Sequence, residues 1–198
     1  MLSLGLTGSI ATGKSTTLEA FRGLGIPVFS ADAAVSELYA GDAVAPVAAL
    51  FPGVVRDGAI DRVELSRQLL AAPEKLASLE ATVHPLVRQR IAAFLAQSRQ
   101  SGAPLAVVEI PLLFETGFDY GLDRIAVTVC SPESQRRRAL ARPGMTVEKL
   151  EAILARQLPQ DEKRKRADYV LDTDLPVQTL VIMVEALVGE LVAGETSS

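Results

Sequence analysis

Two kinds of hydrophobic spacing alternate along the chain. Short aliphatic and β-branched runs at residues 2–7, 26–30 (IPVFS), 105–110 (LAVVEI), 124–130 (RIAVTVC) and 168–172 (DYVLD) predict five buried strands. Helically spaced apolar residues fill the intervals. Residues 14–22 predict a first helix, which Gly23 and Gly25 can end in a left-handed stop. Leu65, Leu69, Leu76, Leu79 and Val83 predict two helices broken at Ala72-Pro73, and residues 86–98 continue the pattern with Ile91, Phe94 and Leu95. Ser131-Pro132-Glu133 reads as a helix start, with Ser as N-cap and Pro in the first turn. Thr146 is the expected cap of the next helix. Val177, Leu180, Val181, Val184, Leu187, Val188 and Leu191 form a stripe on the last one, and residues 194–198 read as a frayed tail.

Short buried strands alternating with helices imply an α/β fold, a parallel sheet covered on both faces. The interval from 33 to 103 is too helical for one crossover and predicts an inserted helical subdomain, with acceptor binding as its use. The chain therefore reads as a single domain over 1–198: a core of 1–32 and 104–193, the insertion, and a lid near 136–150.

Composition narrows the class. A hydrophobic content of 48% and a charged content of 22% are ordinary for a globular protein. The stretch 177–192 is interrupted by Gln178, Thr179, Glu185, Gly189 and Glu190 and reads as too short for a membrane span. No basic signal-peptide start is visible, and the single Cys130, expected in the core, cannot form an internal disulfide; a cytoplasmic setting is expected. A net charge of −4 disfavours a nucleic-acid partner. Two basic groups, Arg136-Arg137-Arg138 with Arg142 and Lys163 to Arg166, suit either a small polyanion or solvated helix faces. No obligate protein partner is evident.

Gly8-Ser9-Ile10-Ala11-Thr12-Gly13-Lys14-Ser15 matches G-x-x-x-x-G-K-[ST] between a strand and a helix. Glycines at 8 and 13 let main-chain N–H groups curl around phosphate, and the helix start adds its positive dipole end. Lys14 can reach the β- and γ-phosphates, and the Ser15 hydroxyl can ligate Mg²⁺. Gly8, Ala11, Thr12, Gly13, Lys14, Ser15 and Thr16 are the ATP-binding candidates.

A kinase acting on an alcohol also needs a carboxylate to take the hydroxyl proton. Ligands of a parallel sheet gather at the strand carboxyl ends, which points to Asp32, Glu109 and Glu115. Asp32 is favoured as base because its strand is expected beside the strand of the phosphate loop; the competing reading makes it a helix N-cap. Glu109 could equally be a solvated strand end, and His84, before Pro85, a capping or packing residue. Arg136, Arg138 and Arg142 precede the Pro143-Gly144 turn and could close over ATP as a lid that excludes water.

Taken together, GLTGSIATGKST, Ser30-Ala31-Asp32, His84-Pro85, the Glu109 to Glu115 segment EIPLLFE, Gln135 through Arg142, Met145-Thr146, Gln157 and Ala167-Asp168-Tyr169-Val170 resemble the dephospho-CoA kinases, over roughly residues 2–190. That resemblance implies a P-loop NTPase-type three-layer sandwich that moves the ATP γ-phosphoryl group to the 3′-hydroxyl of dephospho-CoA, with Mg²⁺. It implies Asp32 as general base, Lys14 and Ser15 on phosphates and metal, Arg138 and Arg142 in the lid, and His84 in the acceptor region. Three positions depart from the family pattern: Ser9 replaces a glycine, Ser30 an aspartate, and Asp172-Thr173-Asp174 an Asn and Gly near the adenine. A kinase of another small acceptor and a nucleotide-dependent switch are the competing readings, and no guanine-reading Asn-Lys-x-Asp is present.

Overall fold

The structure is a computed structural model that describes residues 1–195. It contains a five-stranded parallel sheet in the order β2-β5-β1-β6-β7. The strands are β1 (Leu2–Gly8), β2 (Val28–Ser30), β5 (Leu105–Glu109), β6 (Arg124–Val129) and β7 (Tyr169–Asp172). All five match the hydrophobic runs, with ends trimmed or extended by one or two residues. The order corrects one expectation. β1 pairs with β5 and β6, so β2 lies at the sheet edge and β5 separates it from the phosphate-loop strand. Which strand pairs with which depends on long-range packing, and a local pattern does not carry it.

β1 is buried from Ser3 through Gly8, so both of its faces are covered. On one face Leu4 and Leu6 join Phe21 of α1 (Lys14–Gly23) and Leu180, Val184, Leu187 and Leu191 of the last helix, α9 (Val177–Glu195). On the other, Gly5 lies beneath Leu113 and Leu122; a Cβ there would sit 2.9 Å from Leu122. At about 25 cal/mol per Å² of apolar area removed from water, this two-sided burial is the main stabilising contribution.

α9 differs from expectation in three ways. Its window Val177–Gly194 has a mean hydropathy of 1.7 over 18 residues, so by length and composition it could cross a membrane. The interrupting polar residues do not break it, and its inner face is part of the core just described. Val177 and Val181 are 56% and 36% exposed, because the buried face follows the steps 180, 184, 187 and 191. Gly194 and Glu195 are helical; the remaining positions of the expected frayed tail, 196–198, lie outside the described residues.

Residues 1–29 and 95–198 form one compact unit and Ser30–Phe94 a second. The second contains α2 (Ala31–Leu38), α3 (Val44–Leu50), α4 (Arg62–Ala71) and a 3-10 turn at Pro73–Lys75. Its buried residues include Leu38, Val47, Phe51, Val54, Ile60 and Leu65. A small hairpin, β3 (Val55–Arg56) with β4 (Ala59–Ile60), was not expected. Asp57 and Gly58 both have positive φ, 50° and 79°, the geometry of a tight two-residue turn. The break at Ala72-Pro73 is present, but α5 (Leu76–Gln100) runs unbroken through His84-Pro85 into the first unit. Pro85 costs the helix one main-chain bond without ending it.

Candidate active site

The phosphate loop joins β1 to α1 and is shaped by close approaches. A Cβ on Gly8 would lie 2.6 Å from Thr12 Oγ1 and 2.9 Å from the Thr128 carbonyl, and would also strike Thr128 Oγ1. Gly13 has φ 88°, and a Cβ there would meet Thr173 at 2.9 Å. Ala11 takes φ 61°, a left-handed conformation that costs a non-glycine residue on the order of 1–2 kcal/mol. Hydroxyls hold this shape. Thr12 Oγ1 donates to the Ser9 carbonyl at 2.9 Å and shares a 2.8 Å bond with Thr128 Oγ1. Thr173 Oγ1 lies 2.9 Å from the Thr12 carbonyl and 3.2 Å from that of Val129. All three threonines are buried.

Lys14 opens α1, and its Nζ donates to the carbonyls of Gly8 and Ser9 at 2.9 and 3.0 Å. Ser15 and Thr16 follow, both exposed. Ala11, Gly13, Lys14, Ser15, Thr16, Arg138 and Arg142 together line a cleft of about 180 Å³. Five ATP-binding candidates therefore converge with both lid arginines, while Gly8 and Thr12 do not line the cleft and are buried in the loop's own scaffold. Among the described residues no three His, Cys, Asp or Glu side chains cluster in a way that could hold a metal. A hydroxyl beside a phosphate cleft suits a cation carried in largely by phosphates and water.

The lid arginines stand on α6 (Pro132–Leu140) and just beyond it. Ser131 caps α6 by accepting from Ser134 N–H, and Thr146 caps α7 (Val147–Leu154) by accepting from Lys149 N–H, both as expected. Arg138 is half-buried: it donates to Thr173 Oγ1 at 3.0 Å and to the Thr173 carbonyl at 2.6 Å. Arg142 is exposed at the turn. Asp174 accepts the Ser131 main-chain N–H at 2.6 Å, and that bond with the Ser131 hydroxyl holds its carboxyl below the usual aspartate range. In the sequence Asp172-Thr173-Asp174 stands out only as a departure from the family pattern; in the structure Thr173 and Asp174 tie α6 to the phosphate loop. A hydroxyl directly after a strand that ends beside that loop was the available signal.

The acids behave differently from one another. Glu109 ends β5 opposite Leu6 and is only 5% exposed, so it is not a solvated strand end. Glu115 was expected to face an acceptor. Instead its carboxylate pairs at 2.8 Å with Lys163 of α8 (Gln160–Arg166), whose side chain is fully buried, and accepts the Leu158 N–H at 2.9 Å. A charge removed from water needs an opposite charge nearby, which explains why Lys163 leaves the solvated face expected for its basic run. Arg164, Lys165 and Arg166 remain exposed. Cys130 is half-buried at a cleft of about 390 Å³ rather than in the core, and desolvation raises its thiol pKa.

Asp32 and His84 belong to the second unit. Asp32 is exposed in the first turn of α2, and the N-cap is Ser30, whose Oγ accepts from Ala33 N–H at 3.4 Å. The capping alternative for Asp32 therefore falls. His84 is half-buried in mid-helix, so it caps nothing.

Comparison with known proteins decides the family. Residues 2–178 match the family model described as dephospho-CoA kinase. The chain belongs to the dephospho-CoA kinase family. A dephospho-CoA kinase of Rhizobium meliloti is 54% identical over 98% of this chain and 100% of its own length. A dephospho-CoA kinase of Campylobacter jejuni superposes with TM-score 0.74 at 26% identity, covering 98% of each chain. A protein of known structure from Thermus thermophilus gives TM-score 0.81 at 36% identity, over 96% of this chain and 97% of that one. Within this family the chain is a P-loop kinase, an enzyme that uses ATP.

Proposed function

We infer that the chain transfers the γ-phosphoryl group of ATP to the ribose 3′-hydroxyl of dephospho-CoA, giving CoA and ADP. One observation carries this reading: in a chain of this family, the phosphate loop and two arginines face one cleft sized for phosphate groups. Main-chain N–H groups of the loop and Lys14 hold the β- and γ-phosphates, and Arg138 and Arg142 offset charge on the transferring group. The Ser15 hydroxyl would hold Mg²⁺ brought in with ATP, and the ion would supply neutralisation of phosphate charge. Asp32 accepts the hydroxyl proton as the ribose oxygen bonds to the γ-phosphorus and the bond to the β–γ bridging oxygen breaks. With β5 between β2 and β1, support for Asp32 comes from its exposed carboxylate and its place in the family's Ser-Ala-Asp step, not from strand adjacency. His84 and Glu109 belong to the acceptor region in this reading, and Glu115 serves as an internal cross-link. The setting is cytoplasmic, with ATP and dephospho-CoA as the only partners the reading requires.

ADP release measured with a panel of acceptors tests the reaction. Turnover is expected with dephospho-CoA; strong turnover on AMP or a sugar acid, with none on dephospho-CoA, rejects it. Asp32→Asn is expected to lower kcat by roughly 10²–10⁴-fold with ATP binding nearly kept. Near-normal turnover in that variant removes Asp32 from the chemistry.

A further inference from the structure

Ile10, in the middle of the phosphate loop, has both of its main-chain polar groups held by side-chain amides. Its N–H donates to Gln157 Oε1 at 2.9 Å, and its carbonyl accepts from Gln135 Nε2 at 2.9 Å. Gln160 Nε2 donates to Gln135 Oε1 at 3.1 Å, and the Cys130 N–H donates to Gln160 Oε1 at 3.0 Å. A main-chain N–H can only donate, so Cys130 obliges Gln160 to present its oxygen. Gln160 then offers nitrogen to Gln135, whose own nitrogen is left for the Ile10 carbonyl. The Ile10 N–H fixes Gln157 in the same way. Backbone chemistry therefore sets the direction of all three amides.

The two glutamines that touch Ile10 lie on either side of the arginine-bearing segment. Gln135, 7% exposed, stands on α6 before Arg138, and Gln157 follows α7. Between them Ala139 and Leu150 pack with Ala11, joined by Ile10, Leu140, Met145 and Leu154. Neither glutamine lines the cleft formed by Lys14, Ser15 and the two arginines; both line the separate cleft of about 390 Å³ beside Cys130, and their direct bonds to the phosphate loop are those to Ile10. The residue after Ile10 is Ala11, whose φ of 61° needs outside support to persist.

We propose that Gln135 and Gln157 are positioning residues, clamping the Ile10 main chain between the two roots of the arginine segment so that the loop keeps its anion-binding shape. The proposal rests on the reading of the chain as an ATP-dependent kinase. Without the clamp, ordering the loop is charged against nucleotide binding, and ATP affinity falls while the acceptor's does not.

Two charge-matched variants separate the clamp from simple electrostatics. Gln157→Glu can still accept the Ile10 N–H, whereas Gln135→Glu has no donor for the Ile10 carbonyl and sets two oxygens against each other. Gln135→Glu is expected to raise the Kd and KM for ATP about tenfold, and Gln157→Glu less than threefold. Gln157→Leu, which removes the acceptor without adding charge, is expected to raise both about fivefold, as for one net hydrogen bond. KM for dephospho-CoA stays within twofold throughout. Amide exchange at Ile10 accelerates in Gln157→Leu and not in Gln157→Glu. Equal ATP losses in the two Glu variants, unchanged ATP affinity in Gln135→Glu and Gln157→Leu, or an equal rise in the acceptor KM each overturn the proposal. Should Gln135→Glu not fold, Gln135→Met takes its place with the same criterion. ATP binding is read by calorimetry without any acceptor, so a wild-type enzyme inactive on dephospho-CoA would strike the proposed reaction and leave this test standing.

Discussion

The two compact units use polar side chains in opposite ways. In the unit of residues 1–29 and 95–198, polar groups are sunk into the interior and cross-link distant segments: Thr12 with Thr128, Thr173 with Thr12, Gln135 with Ile10, and Lys163 with Glu115. In the unit Ser30–Phe94 the polar contacts lie at the surface, as in Arg90 with Asp42, Arg62 with Ser36 and Arg67 with Glu64. There the interior is aliphatic and aromatic, with Phe51 and Val47 fully buried. Buried polar bonds are costly unless every partner is in place, so they specify one geometry. The difference teaches where one geometry is most tightly specified. It is specified around the phosphate loop.

The sharpest way to break the contrast is Lys163→Met. It leaves the Glu115 carboxylate without its counter-ion and is expected to cost roughly 3–5 kcal/mol in denaturant unfolding. The double variant Lys163→Met/Glu115→Leu should recover much of that loss; no recovery would mean that packing rather than charge dominates. Gly8→Ala drives a methyl group into Thr12 and Thr128 and is expected to destabilise by about 1–3 kcal/mol while weakening ATP binding. Thermal unfolding with and without nucleotide reads both effects. In the helical unit, Arg90→Ala removes an exposed pair and should change stability by less than about 1 kcal/mol. A larger change would show that surface bonds there matter as much as buried ones elsewhere.

Acid titration gives the smallest effect and tests the junction at Ser131. The Asp174 carboxyl is held below its ordinary range by the Ser131 N–H and hydroxyl. Its stabilising contribution is therefore present above the unfolded aspartate value of about 4 and is lost as pH falls through the lower folded value. Asp174→Asn should flatten the stability curve in that window, with a small loss of stability at neutral pH that vanishes in acid, where the wild-type carboxyl is protonated. An identical acid limb in the variant would remove Asp174 from the account.

Structure is legible in the sequence where a local cause fixes it. The phosphate loop, the Ser131 and Thr146 caps and all five strands depend on spacing and on residues a few positions apart. What was not legible depends on partners far along the chain. The position of β2 at the sheet edge is set by its packing beside β5, and the burial of Lys163 by an acid 48 residues earlier, at Glu115. The Asp57-Gly58 hairpin is a different case, since that dipeptide is a strong turn signal hidden inside a helical stretch. The direction of the glutamine amides follows from Cys130 and Ile10 only once the fold has brought them together.

Ala11 bends against its own preference, and the bonds inside the eight residues of the motif, from Thr12 and Lys14 back to Gly8 and Ser9, are only part of what holds the loop around it. Cut loose as a short peptide, the same letters would relax into other shapes and make a poor host for an anion. The affinity written into that stretch is therefore on loan from threonines and glutamines more than a hundred positions downstream, Thr128, Gln135, Gln157 and Thr173. Transplanting the motif into another scaffold would carry the spelling across and leave the grip behind.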